Sequence, residues 1–189
     1  RARELVGNFR QVAVDRQSEK KRAFNFDHIV RETLATLQPT LKKTSFRLDL
    51  NLKADVVIEG YPGAVSQVLS NLVENAIKHG YEGRNTGDIR IQTSVLDRQN
   101  EKKILLSCKD FGVGIPEKNL KKVFEPFFTT KFGKGSSGLG MAICYQLVTE
   151  ALDGSMSVVS KVGSGTEFSI EIPLKIPEPG RLETGSQVP

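Results

Sequence analysis

The segment NLVENAIKH, residues 71–79, decides how this sequence is interpreted. It forms the second half of a predicted helix over about residues 64–79, which is apolar on one face and polar on the other. The apolar face comprises Val65, Val68, Leu69, Leu72, Val73, Ala76 and Ile77. On the polar face, Asn71, Asn75 and Lys78 follow at i, i+4 and i+7 and form a row. Amide oxygens can bind Mg2+ and lysine can contact phosphate, although an ordinary polar helix face shows the same residue types.

A second segment, DFGVGI at residues 110–115, follows an apolar run that is predicted to be a buried strand. A carboxylate at the end of such a strand, followed by Gly112 and Gly114, favours a turn that brings backbone close to a ligand. Asp110 would then accept a hydrogen bond from an exocyclic amine, such as that of adenine. The letters DFG also occur in protein kinases, but the HRD loop and the glycine-rich loop of those enzymes are missing here.

A third segment, GKGSSGLG at residues 133–140, leads into a predicted helix over about residues 139–151. Glycine-rich backbone that enters a helix N-terminus offers free N–H groups and the positive end of the helix dipole, which favours phosphate. The spacing matches neither a P-loop nor a Rossmann turn, and a merely flexible loop is the alternative. Just before it, VFEPFFTTK at residues 123–131 places three phenylalanines in a polar loop, which predicts a lid that folds over something apolar.

Alternating apolar residues predict strands between the helices. The expected strands lie at about residues 24–26, 46–52, 56–58, 89–95, 104–108, 156–159 and 166–172. The fourth and fifth of these, and the last two, are predicted to pair as hairpins. A helix capped by Asp27 is expected to run to about Leu41, and a short helical piece is expected near residues 117–124. Strands with helices on one face describe a two-layer α/β sandwich of the α+β type.

Composition limits the partners of the chain. Its 189 residues are 38% hydrophobic and 26% charged, which suits one compact domain with a short appendage. The net charge of +5 comes from basic clusters scattered among acids, so no nucleic acid is expected and a small anionic ligand is favoured. Cys108 and Cys144 stand alone in apolar runs and are predicted to be buried. No apolar stretch approaches the roughly 18 to 20 residues that cross a bilayer, so this piece is expected to be soluble.

Three parts are expected along the chain. Residues 1–22 carry apolar residues at helical spacing, which predicts the end of an amphipathic helix, packed on the domain or paired in a hairpin or coiled-coil dimer. Residues 23–176 are predicted to form the domain itself. Residues 177–189 are rich in proline and glycine and are predicted to be disordered. The chain begins without Met and within a pattern, so we expect it to be a piece of a longer protein.

Taken in order, NLVENAIKH, DFGVGIP, FEPFFTTK and GSSGLGMAI resemble the N, G1, F and G2 boxes of bacterial sensor histidine kinases. The resemblance covers about residues 24–174 and includes a final glycine turn, GSGT at residues 163–166. Residues 5–15 resemble the end of that family's dimerisation and histidine-phosphotransfer hairpin. The resemblance implies the Bergerat ATP-binding fold shared with gyrase, MutL and heat-shock chaperone ATPases. In that fold a mixed, mostly antiparallel sheet carries helices on one face, here preceded by a partial dimerisation helix.

The resemblance also implies a role for each matching residue. Asn71 and Asn75 would hold Mg2+, Lys78 would contact phosphate, and Asn71, Glu74 and Lys78 would be the catalytic residues. Asp110 would bind the amine of the ATP adenine. The remaining positions implied to form the ATP site are His79, Gly112, Gly114, Ile115, Phe124, Lys131, Gly138, Leu139, Gly140 and Thr166.

One position distinguishes the kinase branch from the ATPase branch of the family that this sequence resembles. The ATPase branch has a water-activating glutamate four residues before the metal-binding asparagine, and here that position is Asn71. An amide is not a general base near neutral pH, so the sequence favours phosphoryl transfer to a protein side chain. The implied activity is that of a protein-histidine kinase acting in two-component signal transduction. His28 and His79 are the only histidines and neither lies in the hairpin motif, so the acceptor histidine is expected upstream of Arg1.

The implied partners are the chain's own upstream hairpin, a second copy in a full-length homodimer, and the receiver domain of a response regulator. The expected location is cytoplasmic, with membrane contact only through missing segments such as an inner-membrane anchor. One alternative is an anti-sigma-type serine kinase of the same fold, which normally lacks the preceding helix. A second is a GHKL-type clamp ATPase, which Asn71 and the N-terminal helix disfavour. A third is a binding-only module, which the intact set of boxes disfavours.

Overall fold

One layer of the molecule is a five-stranded sheet. The computed structural model describes residues 21–81, 83–84, 86–98, 101–129 and 137–174. The strands are β1 (Arg22–Asn25), β2 (Ser45–Lys53), β3 (Val57–Gly60), β4 (Thr86–Arg98), β5 (Glu101–Asp110), β6 (Ser155–Lys161) and β7 (Gly165–Pro173). The main sheet has the order β2-β4-β5-β7-β6. Its β2 and β4 are parallel and all its other neighbours are antiparallel, which confirms the mixed sheet and both predicted hairpins.

The first three strands do not pair with their neighbours in sequence. β2 lies alongside β4, with Leu48 opposite Ile89, although 41 residues separate such partners along the chain. β1 and β3 instead form a separate antiparallel two-stranded sheet. The predicted strands around Lys53 to Asp55 therefore exist, but they belong to different sheets.

The helices are α1 (Phe26–Thr36), α2 (Gln38–Lys42), α3 (Pro62–Asn75), α4 (Glu117–Leu120) and α5 (Gly140–Gln146). A π-helical turn extends α3 over Ala76–Gly80, and another extends α5 over Leu147–Ala151. The helices predicted over residues 64–79 and 139–151 are thus confirmed, and each ends in a wider turn. Such π turns inside helices are frequent at functional sites.

Two predictions about the first helix were wrong. The helix does not run on to Leu41 but breaks at Leu37, because Pro39 lacks an N–H group and fits only the first turn of a new helix. The N-cap is Asn25 and not Asp27, since the Asn25 side chain accepts a hydrogen bond from the His28 N–H at 2.9 Å.

The core lies between the main sheet and the helices on one of its faces. The predicted stripe is buried there except at Ile77, which is half-buried, and Leu69 and Val73 are fully covered. Ile89, Ile91 and Ile170 meet it from the sheet and are also fully covered. Cys108 and Cys144 are buried with free thiols, as predicted, and burial raises the pKa of both.

A buried hydroxyl joins α1 to the sheet. Thr93 Oγ1 donates to the Asp27 carboxylate at 2.6 Å and accepts the backbone N–H groups of Lys53 at 3.0 Å and Ala54 at 3.2 Å. Asp27, Thr93 and Ala54 are all buried, so water does not compete for these bonds. This explains why Asp27 lies in the first turn of α1 instead of capping it.

Both predicted flanking parts fall outside the described residues. The amphipathic helix over 1–22 lies almost entirely before residue 21, and the tail over 177–189 lies after residue 174. The domain limits at residues 23 and 176 therefore stay predictions. No helix within the described ranges has both the length and the apolar character needed to cross a membrane.

Replacing Thr93 tests the junction between α1 and the sheet. Thr93→Val preserves the shape of the side chain but leaves the Asp27 carboxylate and two backbone N–H groups without this partner. We expect urea denaturation to show a free energy of unfolding lower by about 2 kcal/mol. Thr93→Ser keeps the hydroxyl and should lose much less, so equal losses in the two variants would contradict the assignment.

Candidate functional site

A cavity of about 570 Å3 opens where α3, the segment after β5 and the start of α5 meet. This volume lies within the range of small-molecule sites. The described residues that line it are Asn71, Glu74, Asn75, Lys78, His79, Val113, Gly114, Ile115, Pro116, Asn119, Val123, Phe128, Thr129, Ser137, Gly138, Leu139, Gly140, Met141, Ile143 and Phe168. Most of the residues singled out from the sequence are therefore brought together on one surface.

The first wall is the polar face of α3 and its π turn. Asn71, Asn75 and Lys78 all face the cavity, as their spacing predicted. Lys78 Nζ lies 2.6 Å from the Glu74 carboxylate, which places an ion pair on the wall. The Asn71 amide accepts a hydrogen bond from Gln67 at 3.0 Å and donates to the Gly140 carbonyl at 3.4 Å. α3 is thereby linked to the start of α5 across the cavity.

The second wall is the segment at residues 113–116, which we call the base loop. Its Val113 N–H donates to the Gly80 carbonyl at 2.7 Å, so the base loop is fixed to the π turn after α3. Gly112 allows this approach, because a β-carbon there would overlap the Gly80 carbonyl. Gly114 has a φ of 71° and lies against the Lys161 carbonyl, so it too has no room for a side chain. Both glycines shape the wall, and only Gly114 lines the cavity itself.

Asp110 lies at the end of β5, beside the cavity lining and not within it. Its carboxylate accepts the Gly112 N–H at 2.9 Å, and only 5% of the residue is exposed. Burial raises the pKa of Asp110, while hydrogen bonds from the backbone N–H groups of Gly112 and Thr166 lower it. Burial disfavours the ionised form, so the folded chain favours the protonated carboxyl more than the unfolded chain does. The stabilisation from that protonated carboxyl is lost as pH rises through the raised pKa. The ionised carboxylate would therefore gain from a further donor.

Tyr81 supports the same region, although no sequence motif pointed to it. Its hydroxyl donates to the Asp88 carbonyl and accepts the Phe111 N–H at 3.0 Å. Gly87 leaves room for the ring, which stacks at a tilt on Phe46 at 5.1 Å between centroids. Burial raises the pKa of Tyr81, so the hydroxyl keeps its proton at neutral pH. No periodic pattern marks this residue, because it lies in a turn.

The third wall joins the described end of the predicted lid to α5. Phe128 and Thr129 lie on one side, and Ser137 to Gly140 lead into α5 on the other. Gly138 has a φ of 69°, and a β-carbon there would meet the Phe127 backbone at 2.6 Å. The described part of the predicted lid is therefore in contact with the glycine-rich segment that leads into α5.

Besides Asp110 and Gly112, three further predicted residues are not among the described lining residues. Phe124 does not line the cavity: its ring packs on Tyr145 at 5.2 Å and Phe168 at 6.3 Å between centroids. Thr166 is buried beside Asp110 without lining the cavity. Lys131 lies outside the described residues, as do residues 133–136 of the glycine-rich segment.

Polar and apolar groups lie on different walls of the cavity. Amide oxygens lie on α3 and an ammonium lies on its π turn, whereas Val113, Ile115 and Phe168 offer apolar surface. Two amides leave most of an octahedral Mg2+ shell to water and phosphate oxygens, which fits the way this ion is usually held. Among the described residues there is no group of three or more histidine, cysteine or acidic side chains that could hold a metal alone.

The chain is similar to a known ATPase family and to sensor histidine kinases. The model of the family described as histidine kinase-, DNA gyrase B-, and HSP90-like ATPase matches residues 60–176. Sensor histidine kinase AruS of Pseudomonas aeruginosa is 36% identical over 163 residues, which are 81% of this chain and 16% of AruS. The chain therefore spans about a sixth of the length of that relative.

Solved structures confirm the predicted fold. The catalytic domain of histidine kinase ThkA is 30% identical with a TM-score of 0.70, covering 82% of this chain and 97% of that one. ThkA in complex with response regulator protein TrrA is 28% identical with a TM-score of 0.66, covering 82% of this chain and 42% of that one.

A pair of glycine substitutions tests the contact between the base loop and the π turn. Gly112→Ala would push a methyl group into the Gly80 carbonyl, and we expect the free energy of unfolding to fall by about 2 kcal/mol in urea. Gly140→Ala is the matched control, because a β-carbon there meets nothing within 4 Å. The control should change stability by less than about 0.5 kcal/mol. An unaltered Gly112→Ala protein would contradict the close approach.

Proposed function

Because the chain belongs to the family of histidine kinase-, DNA gyrase B- and HSP90-like ATPases, we propose that it is the ATP-binding catalytic domain of a sensor histidine kinase. It binds Mg-ATP in the cavity and transfers the γ-phosphoryl group to a histidine outside the described residues. In this transfer the bond between the γ-phosphorus and the bridging oxygen breaks and ADP leaves. A phosphorus–nitrogen bond forms on the imidazole, which releases its ring proton.

The observation that carries this proposal is the division of the cavity between a polar α3 wall and an apolar base loop. Asn71 and Asn75 would hold Mg2+, which supplies charge neutralisation at the phosphates. Lys78 would bind a phosphate oxygen, which requires the ammonium to share or leave its contact with Glu74. The adenine would lie against Ile115 and direct its amine to Asp110, whose buried carboxylate favours such a donor.

Transfer is favoured over hydrolysis by the groups available to activate water. Glu74 is the only carboxylate among the described lining residues, and it lies directly beside Asn75 in the helix and not one turn before it. The position four residues before Asn75 is the amide Asn71, whose oxygen already accepts from Gln67. An amide does not remove a proton from water. The cavity therefore suits a reaction whose nucleophile arrives from elsewhere.

The partners follow from the same proposal. The acceptor histidine lies in a dimerisation and phosphotransfer hairpin of the longer protein, which forms a homodimer. The phosphoryl group then passes to the aspartate of a response regulator, and the solved complex of ThkA with the response regulator TrrA supports a partner of this class. The reaction takes place in the cytoplasm, and any membrane anchor belongs to other segments of the longer protein.

Substitution of Asn75 tests the metal site. Asn75→Asp places a carboxylate beside the triphosphate where a neutral amide stood, and we expect calorimetry to show Mg-ATP affinity lower by at least about tenfold. The fold should persist, since Asn75 lies on the polar wall and not in the apolar stripe. Asn51→Asp on β2 makes the same chemical change away from the cavity and should bind normally. Unchanged affinity in the Asn75 variant would refute the assignment.

Phosphate release distinguishes the kinase from an ATPase. The chain is saturated with γ-labelled Mg-ATP, binding is verified by calorimetry, and released phosphate is counted. We expect almost none, because Asn71 stands where the ATPase branch has its water-activating glutamate, and an amide does not remove a proton from water. Sustained turnover would overturn the transfer proposal and indicate a water-activating base.

A further inference from the structure

Ser160 is a hydrogen-bonding centre at the end of β6 that none of the four sequence boxes contains. Its Oγ accepts the Ile115 N–H at 2.7 Å and lies 2.8 Å from the Gly165 carbonyl and 3.0 Å from Thr166 Oγ1. The hydroxyl is half-buried and does not itself line the cavity. It therefore touches the base loop on one side and the start of β7 on the other.

Counting donors and acceptors fixes the directions of these bonds. A hydroxyl has one proton to donate and two lone pairs that accept. The Gly165 carbonyl can only accept, so it takes the Ser160 proton. The two Ser160 lone pairs then receive the Ile115 N–H and the Thr166 hydroxyl proton. All the hydrogen-bonding capacity of Ser160 is used, and the Thr166 hydroxyl is oriented as a donor to it.

Of the two segments that Ser160 joins, the base loop lines the cavity and the start of β7 lies beside Asp110. Ile115 lines the cavity, and Gly114 beside it rests against the Lys161 carbonyl. The Thr166 backbone N–H bonds to the Asp110 carboxylate and lowers its pKa against the effect of burial. The backbone bond from the Gly163 N–H to the Val113 carbonyl at 2.8 Å closes the same junction, but Ile115 is held by a side chain.

We propose that Ser160 is a positioning residue for the nucleotide base, which sets ATP affinity by fixing Ile115 in the wall and Thr166 beside Asp110. This inference rests on the proposed function, because it places the base of ATP against Ile115 and Asp110. Ser160 acts only through residues that it holds and makes no contact with the nucleotide.

The test compares three variants of the described chain by calorimetry with Mg-ATP and by the NMR signal of the Ile115 amide. Ser160→Ala removes one hydrogen-bonding hydroxyl, and we expect affinity to fall by about five- to tenfold. The Ile115 amide proton should shift upfield and exchange faster, since its acceptor is gone. Ser160→Thr keeps the hydroxyl and should restore both readouts. Ser157→Ala, an exposed serine on the same strand, should change neither.

The possible results separate this inference from the proposed function. A wild-type chain that binds no ATP would overturn both. A wild-type chain that binds ATP, together with a Ser160→Ala chain of equal affinity, would overturn the role of Ser160 alone. The role of Ser160 is also overturned if Ser160→Ala weakens binding without altering the Ile115 amide, or if Ser160→Thr binds as weakly as Ser160→Ala. Thermal unfolding of each variant shows that the protein measured is folded.

Discussion

The close approach of Gly80 and Gly112 is the constraint on which the site depends. The end of the helical wall and the segment that follows β5 meet through a backbone contact, with the Val113 N–H bonded to the Gly80 carbonyl at 2.7 Å. Any β-carbon at position 112 would separate them. Because this contact holds α3 against the base loop, the distance between the polar row and the apolar wall is set by main-chain geometry. The side chains of Tyr81 and Ser160 then hold neighbouring backbone segments in place.

Much of the fold could be predicted from the sequence, because buried apolar residues recur at a regular spacing along each helix and strand. The stripe of α3, from Val65 to Val73, and the alternation around Ile89 and Ile91 each report which face of an element is covered. Hairpins join neighbours in sequence, so β4 with β5 and β6 with β7 followed directly. The polar row of Asn71, Asn75 and Lys78 was placed correctly because a helix fixes the direction of each side chain.

The features that were missed depend on contacts that no local pattern reports. Alternation shows that β2 is a strand but not that its neighbour is β4. Asp27 is a residue type that often caps helices, yet Asn25 is the N-cap here. The Asp27 carboxylate instead accepts a hydrogen bond from Thr93, 66 residues away. Tyr81 and Ser160 likewise act on segments 30 and 45 residues distant. Their roles depend on contacts that exist only in the folded sheet, and local sequence patterns do not show such contacts.

The position of β2 has a consequence for the order in which the molecule assembles. Closing a loop of 41 residues to form a parallel pair has a larger entropic cost than closing either hairpin. β2 lies at one edge of the sheet, whereas the cavity is built from α3, the segment after β5 and the start of α5. We therefore expect the hairpins to nucleate the sheet and β2 to join late. A partly folded molecule that lacks only this edge would already contain every segment that forms the cavity.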